Sequence, residues 1–107
     1  MSNSNRINLY NPGEKETDFV LSLIFKSDKI PSGSITLNEK KLSFKEITKE
    51  GADDEIRINT RLNLIEGYKD GKKTGNLYNK YINGGNFFKI PVTTATSSPL
   101  QMVLESI

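Results

Sequence analysis

Cysteine, histidine and tryptophan are all missing from the 107 residues. Without cysteine there is no disulfide framework. Without histidine as well there is no Ser-His or Cys-His nucleophile pair and no ordinary zinc or haem site. Long apolar runs are missing too. The longest, Phe19 to Phe25, is interrupted by Ser22 and ends at Lys26, far short of the roughly 20 residues that a helical membrane span requires. The start, Met1 to Asn5, has no cationic segment leading into an apolar one, so it does not read as a secretion signal. Nor is there a charge of one sign: 15 Lys and Arg stand against 13 Asp and Glu, a net +2. A nucleic-acid partner calls for a basic stripe, which three arginines (Arg6, Arg57, Arg61) do not supply. The expectation is a soluble, non-enzymatic chain with no metal, no cofactor, no nucleic acid and no membrane.

What is present fits one small folded domain. A chain of this length buries roughly 60 to 70% of its unfolded surface, enough for one modest core. Only 35% of the residues are hydrophobic, but the charges nearly cancel and compaction meets little self-repulsion. The small polar stretches 1–5 and 93–98 have the composition of mobile segments, which leaves 6–107 as a single domain.

Apolar residues recur with a period of two, the mark of strands. Phe19, Leu21, Leu23 and Phe25 share one face and are expected to form a central strand with the most buried side chains. Ile35 and Leu37, then Leu42 and Phe44, flank Asn38-Glu39 at the spacing of a hairpin. Ile56 and Ile58 point inward between Glu55, Arg57 and Asn59. Leu62, Leu64, Glu66 and Tyr68 continue the alternation up to Asp70-Gly71, the dipeptide suited to the two positive φ angles of a type I′ turn, which predicts a second hairpin. Asn86 to Ile90 and Leu100 to Ser106 read as two last strands. Residues 44–54 read as a turn or one short helical element, and no segment carries a helical stripe. About eight short strands with Gly, Pro, Asn and Asp turns predict an all-β, single antiparallel β-sandwich.

The order of these motifs resembles the C-terminal domain of phage distal tail proteins, the Dit family of siphophage and prophage tail components. The resemblance rests on Ile7-Asn-Leu-Tyr-Asn-Pro-Gly13 before the strand at Phe19, on Gly33-Ser-Ile-Thr-Leu-Asn38 before Leu42-Ser-Phe44, on Asp54-Glu-Ile-Arg-Ile-Asn-Thr60, on Tyr68-Lys-Asp-Gly71, and on Phe87-Phe-Lys-Ile-Pro91. Two features depart from the family. Gly84-Gly85-Asn86 precedes the aromatic pair where the family has its turn after the strand, and 107 residues leave no room for the family's N-terminal ring-forming domain, as in an excised domain or a reduced relative. The resemblance implies a jelly-roll of galectin-like or carbohydrate-binding-module-like architecture at the virion tail tip, assembled in the cytoplasm of a bacterial host. Its implied partners are baseplate, tail-tip or receptor-binding proteins, and no catalysis follows.

The most distinctive stretch is 76–88. Tyr78, Tyr81, Phe87 and Phe88 alternate with Asn76, Asn79, Asn83 and Asn86, and aromatic faces with amides suit sugar rings as well as protein contacts. Tyr78, Tyr81, Asn83 and Asn86 are therefore the candidate partner or cell-surface glycan contacts, and a small carbohydrate-binding module is the competing reading. Aromatics at strand positions nevertheless belong more often to a core. Asp53, Asp54 and Glu55 could offer oxygens to calcium but read as a solvated loop, and no spacing supports a glycosidase pair. Lys69, Lys72 and Lys73, with Lys40 and Lys41, read as solubilising charges at hairpins. No strand offers a large apolar interface, so the isolated chain is expected to be a monomer.

Overall fold

The computed structural model describes residues 3–82, 87–93 and 100–106. The regular structure in them is β-strand, apart from one 3-10 turn at Asn79–Tyr81. The strands are β1 (Asn3–Leu9), β2 (Val20–Ile24), β3 (Lys29–Ile30), β4 (Gly33–Leu37), β5 (Lys40–Phe44), β6 (Ile47–Thr48), β7 (Glu55–Asn59), β8 (Leu64–Lys69), β9 (Lys72–Leu77) and β10 (Leu100–Ser106). They form two four-stranded antiparallel sheets, ordered β1-β10-β4-β5 and β2-β7-β8-β9, and a two-stranded ribbon, β3-β6. The fold is all-β and antiparallel, as the alternation predicts. Side chains from both sheets and the ribbon meet in one core cluster, a sandwich-like arrangement.

The turn chemistry acts where the sequence places it. Asn38 takes φ 55° to close β4 onto β5, so that Ile35 pairs with Leu42 and both are buried. Asp70 and Gly71 take φ 52° and 78°, the two positive values a type I′ turn demands, between β8 and β9. The turn from β7 to β8 is held by Asn59, whose Oδ1 accepts the N–H groups of Arg61 and Leu62. Ile56 and Ile58 are fully buried, opposite Gly67 and Ile65. Ile65 and Gly67 therefore face the core, while Leu64, Glu66 and Tyr68 lie on the outer face with Glu55, Arg57 and Asn59.

Several expectations need correction. β2 is an edge strand, not a central one. The predicted face is right, since Leu21 and Leu23 pack on the core while Val20 and Ile24 are exposed, but burial at an edge is incomplete. Phe25 is buried, but the fully buried apolar set is instead Ile35, Leu37, Leu42, Ile47, Ile56, Ile58, Ile65 and Tyr78. Residues 87–90 form no strand; Ile90 makes a lone bridge to Thr17, and Phe88 packs its ring on Phe19 at 5.5 Å. Residues 44–54 hold the expected turn, at 51–52, and also the ribbon strand β6, which the reading did not include. Asn3 to Asn5, in the stretch read as mobile, pair with Leu104 to Ser106 in β10.

Candidate functional site

Tyr78 follows directly on β9, and the geometry around it starts from a bulge. The step from Glu66 to Tyr68 on β8 is matched by the longer step from Lys73 to Leu77 on β9, and Gly75 absorbs it with φ 87°. From within the bulge Asn76, and from just beyond it Tyr78, both reach Asp53 in the loop before β7. The Tyr78 hydroxyl donates to Asp53 Oδ2 at 2.5 Å and accepts the Glu50 N–H at 3.1 Å, and Asn76 Nδ2 donates to the same Oδ2 at 2.9 Å. Asp53 is 1% exposed and Tyr78 0%. The tyrosine ring lies 6.2 Å from Phe25 and 6.1 Å from Tyr81. A side chain on β8 here would collide with the pair: a Cβ at Gly67 would sit 2.2 Å from Asp53 Oδ2 and 2.9 Å from Tyr78 Cε2.

Electrostatics match the geometry. Burial pushes the Asp53 carboxyl up, but the hydrogen bonds from Tyr78, Asn76 and Thr74 and the charge of Lys49 more than offset this, so it sits below its ordinary value. The Tyr78 hydroxyl is pushed far above its ordinary range, by burial first and by its bond to Asp53 second. At neutral pH the pair is one carboxylate accepting from one neutral phenol.

Asn79, the other described asparagine of this stretch, is equally committed. Asn79 Oδ1 accepts the Ile65 N–H at 2.6 Å while its Nδ2 donates to the Asn63 carbonyl at 3.0 Å. Of the candidate contacts, Tyr78 is thus a core residue and cannot reach a partner. Tyr81 is half-buried, stacked on Tyr78, with the Lys80 ammonium 5.2 Å from its ring centre and Lys80 paired to Glu50 at 2.9 Å. Asn83 and Asn86 lie outside the described residues. Tyr81, Lys80 and Glu50 form a small patch that could offer an aromatic surface and both signs of charge to a partner.

The three consecutive acids go three ways. Asp53 turns inward, which corrects its reading as part of a solvated loop, because partners some 25 residues later in the chain replace its water. Asp54 accepts the Asp70 N–H at 3.2 Å and lies 3.6 Å from Lys69. Glu55 accepts from Ser22 and from Arg57, which hold its carboxyl below the ordinary value. No group of three or more potential metal ligands occurs among the described residues. Lys69 and Lys73 are tied to acids, Lys73 to the buried Glu66. Arg57 also stacks over Tyr68, 3.9 Å from the ring centre.

Two features escaped the sequence reading. Asn11, in the Asn-Pro-Gly turn, is 8% exposed and bonds in four directions: its N–H to Thr93 Oγ1, its Nδ2 to the carbonyls of Lys15 and Ile90, and its Oδ1 from the Gly13 N–H. The Asn-Pro-Gly signal marked the turn but not its distant partners. The second is a cleft of about 620 Å³ with Leu23, Ile30, Phe44 and Leu104 among its walls and Lys26 and Lys29 beside them. Set against known proteins, the chain matches no family model, no curated protein and no solved structure.

Proposed function

We infer that the chain is a non-enzymatic structural or adhesion module of a phage or prophage tail tip, a jelly-roll like the C-terminal domain of distal tail proteins, contacting baseplate or receptor-binding proteins. One observation carries the reading: the segments of resemblance coincide with the framework of the fold. Ile7 to Gly13 runs from β1 into the turn that Asn11 closes. Gly33 to Asn38 and Leu42 to Phe44 are the arms of the β4-β5 hairpin. Asp54 to Thr60 is β7 with its flanks, Tyr68 to Gly71 enters the type I′ turn, and Phe87 to Pro91 packs beside Phe19 and Thr17. The reading is further supported by the absence of histidine and cysteine, which removes the commonest nucleophile and base pairs. A glycan-binding module would need the amides of this stretch, and those of Asn76 and Asn79 are already bonded within the fold.

The test is location. Gold-labelled antibody against the chain, applied to tail particles from the phage or induced lysogen that carries the gene, should decorate the distal tail end in negative-stain images. Label absent from particles, or confined to the capsid, would overturn the reading.

A further inference from the structure

Four strands end the two large sheets: β1 and β5 in one, β2 and β9 in the other. Three of them are guarded in the usual ways. β5 carries Lys40 and Lys41; β9 carries Lys72 and Lys73 and is broken by its bulge; β1 carries Arg6 among Asn and Ser. β2, Val20-Leu-Ser-Leu-Ile24, has neither charge nor proline nor bulge. Val20 and Ile24 are 56% and 59% exposed on its outer side.

Among the described residues the backbone of β2 is also unpaired on one side. Just beyond its two ends, Phe19 accepts from the Thr60 N–H and Phe25 donates to Asp54. By the alternation of an antiparallel ladder, Leu21 and Leu23 bond toward β7, and the N–H and C=O groups of Val20, Ser22 and Ile24 point away from the sheet. The cleft beside Ser22, Leu23 and Ile24 leaves room along this edge.

We propose that the β2 edge pairs with the β2 edge of a second copy of this chain, antiparallel about a two-fold axis through Ser22. The strand is a palindrome in chemistry: Val20 and Ile24, then Leu21 and Leu23, are symmetric about Ser22. Val20 then lies opposite the partner's Ile24, and Leu21 opposite the partner's Leu23. The outward backbone groups fall on the same symmetric positions, so each facing pair exchanges both of its bonds. Such an interface is isologous, one patch meeting itself.

Charge fits the same register. Extended by one further step on each side, the pairing sets Asp18 opposite the partner's Lys26. Asp18 Oδ1 is buried and accepts no hydrogen bond, with Lys89 3.6 Å away. Lys26 is exposed and makes no ion pair among the described residues. Asp18 already has Lys89 as an ion-pair partner in its own chain, so in this register the second copy adds a carboxylate opposite Lys26, which has no partner among the described residues. The dimer departs from the monomer expected of the sequence, because that expectation counted faces and not edges, and it does not depend on the tail-tip reading.

Sedimentation equilibrium on the whole chain, over about 10 to 200 µM, tests it. A reversible dimer with a dissociation constant on the order of 10 µM is expected, since a strand edge buries little area. Ser22→Pro removes an outward N–H while leaving the backbone ladder to β7 in place, and should raise that constant at least about tenfold, whereas Ser22→Ala, which loses only the hydroxyl bond to Glu55, should leave it nearly unchanged. Lys26→Asp, which sets an acid opposite the partner's Asp18, should weaken the dimer, with circular dichroism confirming that each variant is folded. A chain monomeric throughout the range, which would leave the edge to a strand of another protein, overturns the proposal. So does a dimer that Ser22→Pro or Lys26→Asp leaves intact.

Discussion

Two polar clusters hold irregular chain against this small sandwich, and they do it with different chemistry. At one, Asp53 receives Tyr78 and Asn76 and fastens the loop before β7 to the end of β9. At the other, Asn11 binds Thr93, Ile90, Lys15 and Gly13 and fastens the segment after Ile90 to the Asn-Pro-Gly turn. The first contains two titratable groups and a fully buried aromatic ring; the second is neutral throughout. With only 35% hydrophobic residues, such polar pins carry part of the task that a larger core would perform, and only one of them answers to pH.

The largest effect is expected at Gly67. Gly67→Ala drives a methyl into Asp53 and Tyr78, and should cost about 3 kcal/mol or more in urea unfolding. A loss under about 1 kcal/mol would mean that the carboxylate can move aside freely. At the neutral pin, Asn11→Ala removes the bonds in three of its four directions and should cost about 2 kcal/mol, equally at pH 3 and pH 7. Tyr78→Phe keeps the ring and deletes one hydroxyl, and should cost about 1 to 2 kcal/mol at neutral pH. Tyr81→Ala is a smaller perturbation of the fold, because Tyr81 is half-buried. It is expected to weaken binding to a tail-tip protein by more than about 1 kcal/mol with the melting transition nearly unchanged, as isothermal titration would read. If binding holds while stability falls, Tyr81 serves the core alone.

Sign follows from the direction of each shift. Asp53 sits below its ordinary 3.8 in the folded chain, so its contribution is complete above that value and fades as pH falls through the lower, folded one. Tyr78 sits above its ordinary 10.0, so its contribution is complete below about 10 and fades as pH rises beyond it. The Asp53-Tyr78 pin is therefore at full strength across the neutral range and is weakened from both ends; the Asn11 pin is not.

Local features were legible in the sequence. The Asn38-Glu39 and Asp70-Gly71 turns, the inward Ile56 and Ile58, and the last strand all follow from period and turn chemistry within a few residues. What was not legible depends on partners far along the chain. Phe19 to Phe25 reads as a central strand because its apolar density is highest, yet whether a strand is central is decided by what pairs on each side, and among the described residues β2 has β7 alone. Asp53 reads as solvent-facing because its neighbours are acids, while the groups that bury it come some 25 residues later. Phe88 and Ile90 are buried as expected of a strand, but only a lone bridge forms there, next to Pro91, which has no N–H to extend a ladder. At the candidate site, the residue types suggested sugar or protein contact, and among the described residues the fold spends Tyr78, Asn76 and Asn79 on itself.

The most direct test of this account, that Asp53 is an ionised structural pin, compares the native chain with Asp53→Asn. Their unfolding free energies should be measured from pH 2 to pH 7. The native chain should be more stable by about 2 kcal/mol at pH 7, and the difference should narrow as pH falls through the folded Asp53 value, which lies below its ordinary 3.8. A difference that stays constant across the range would contradict the account.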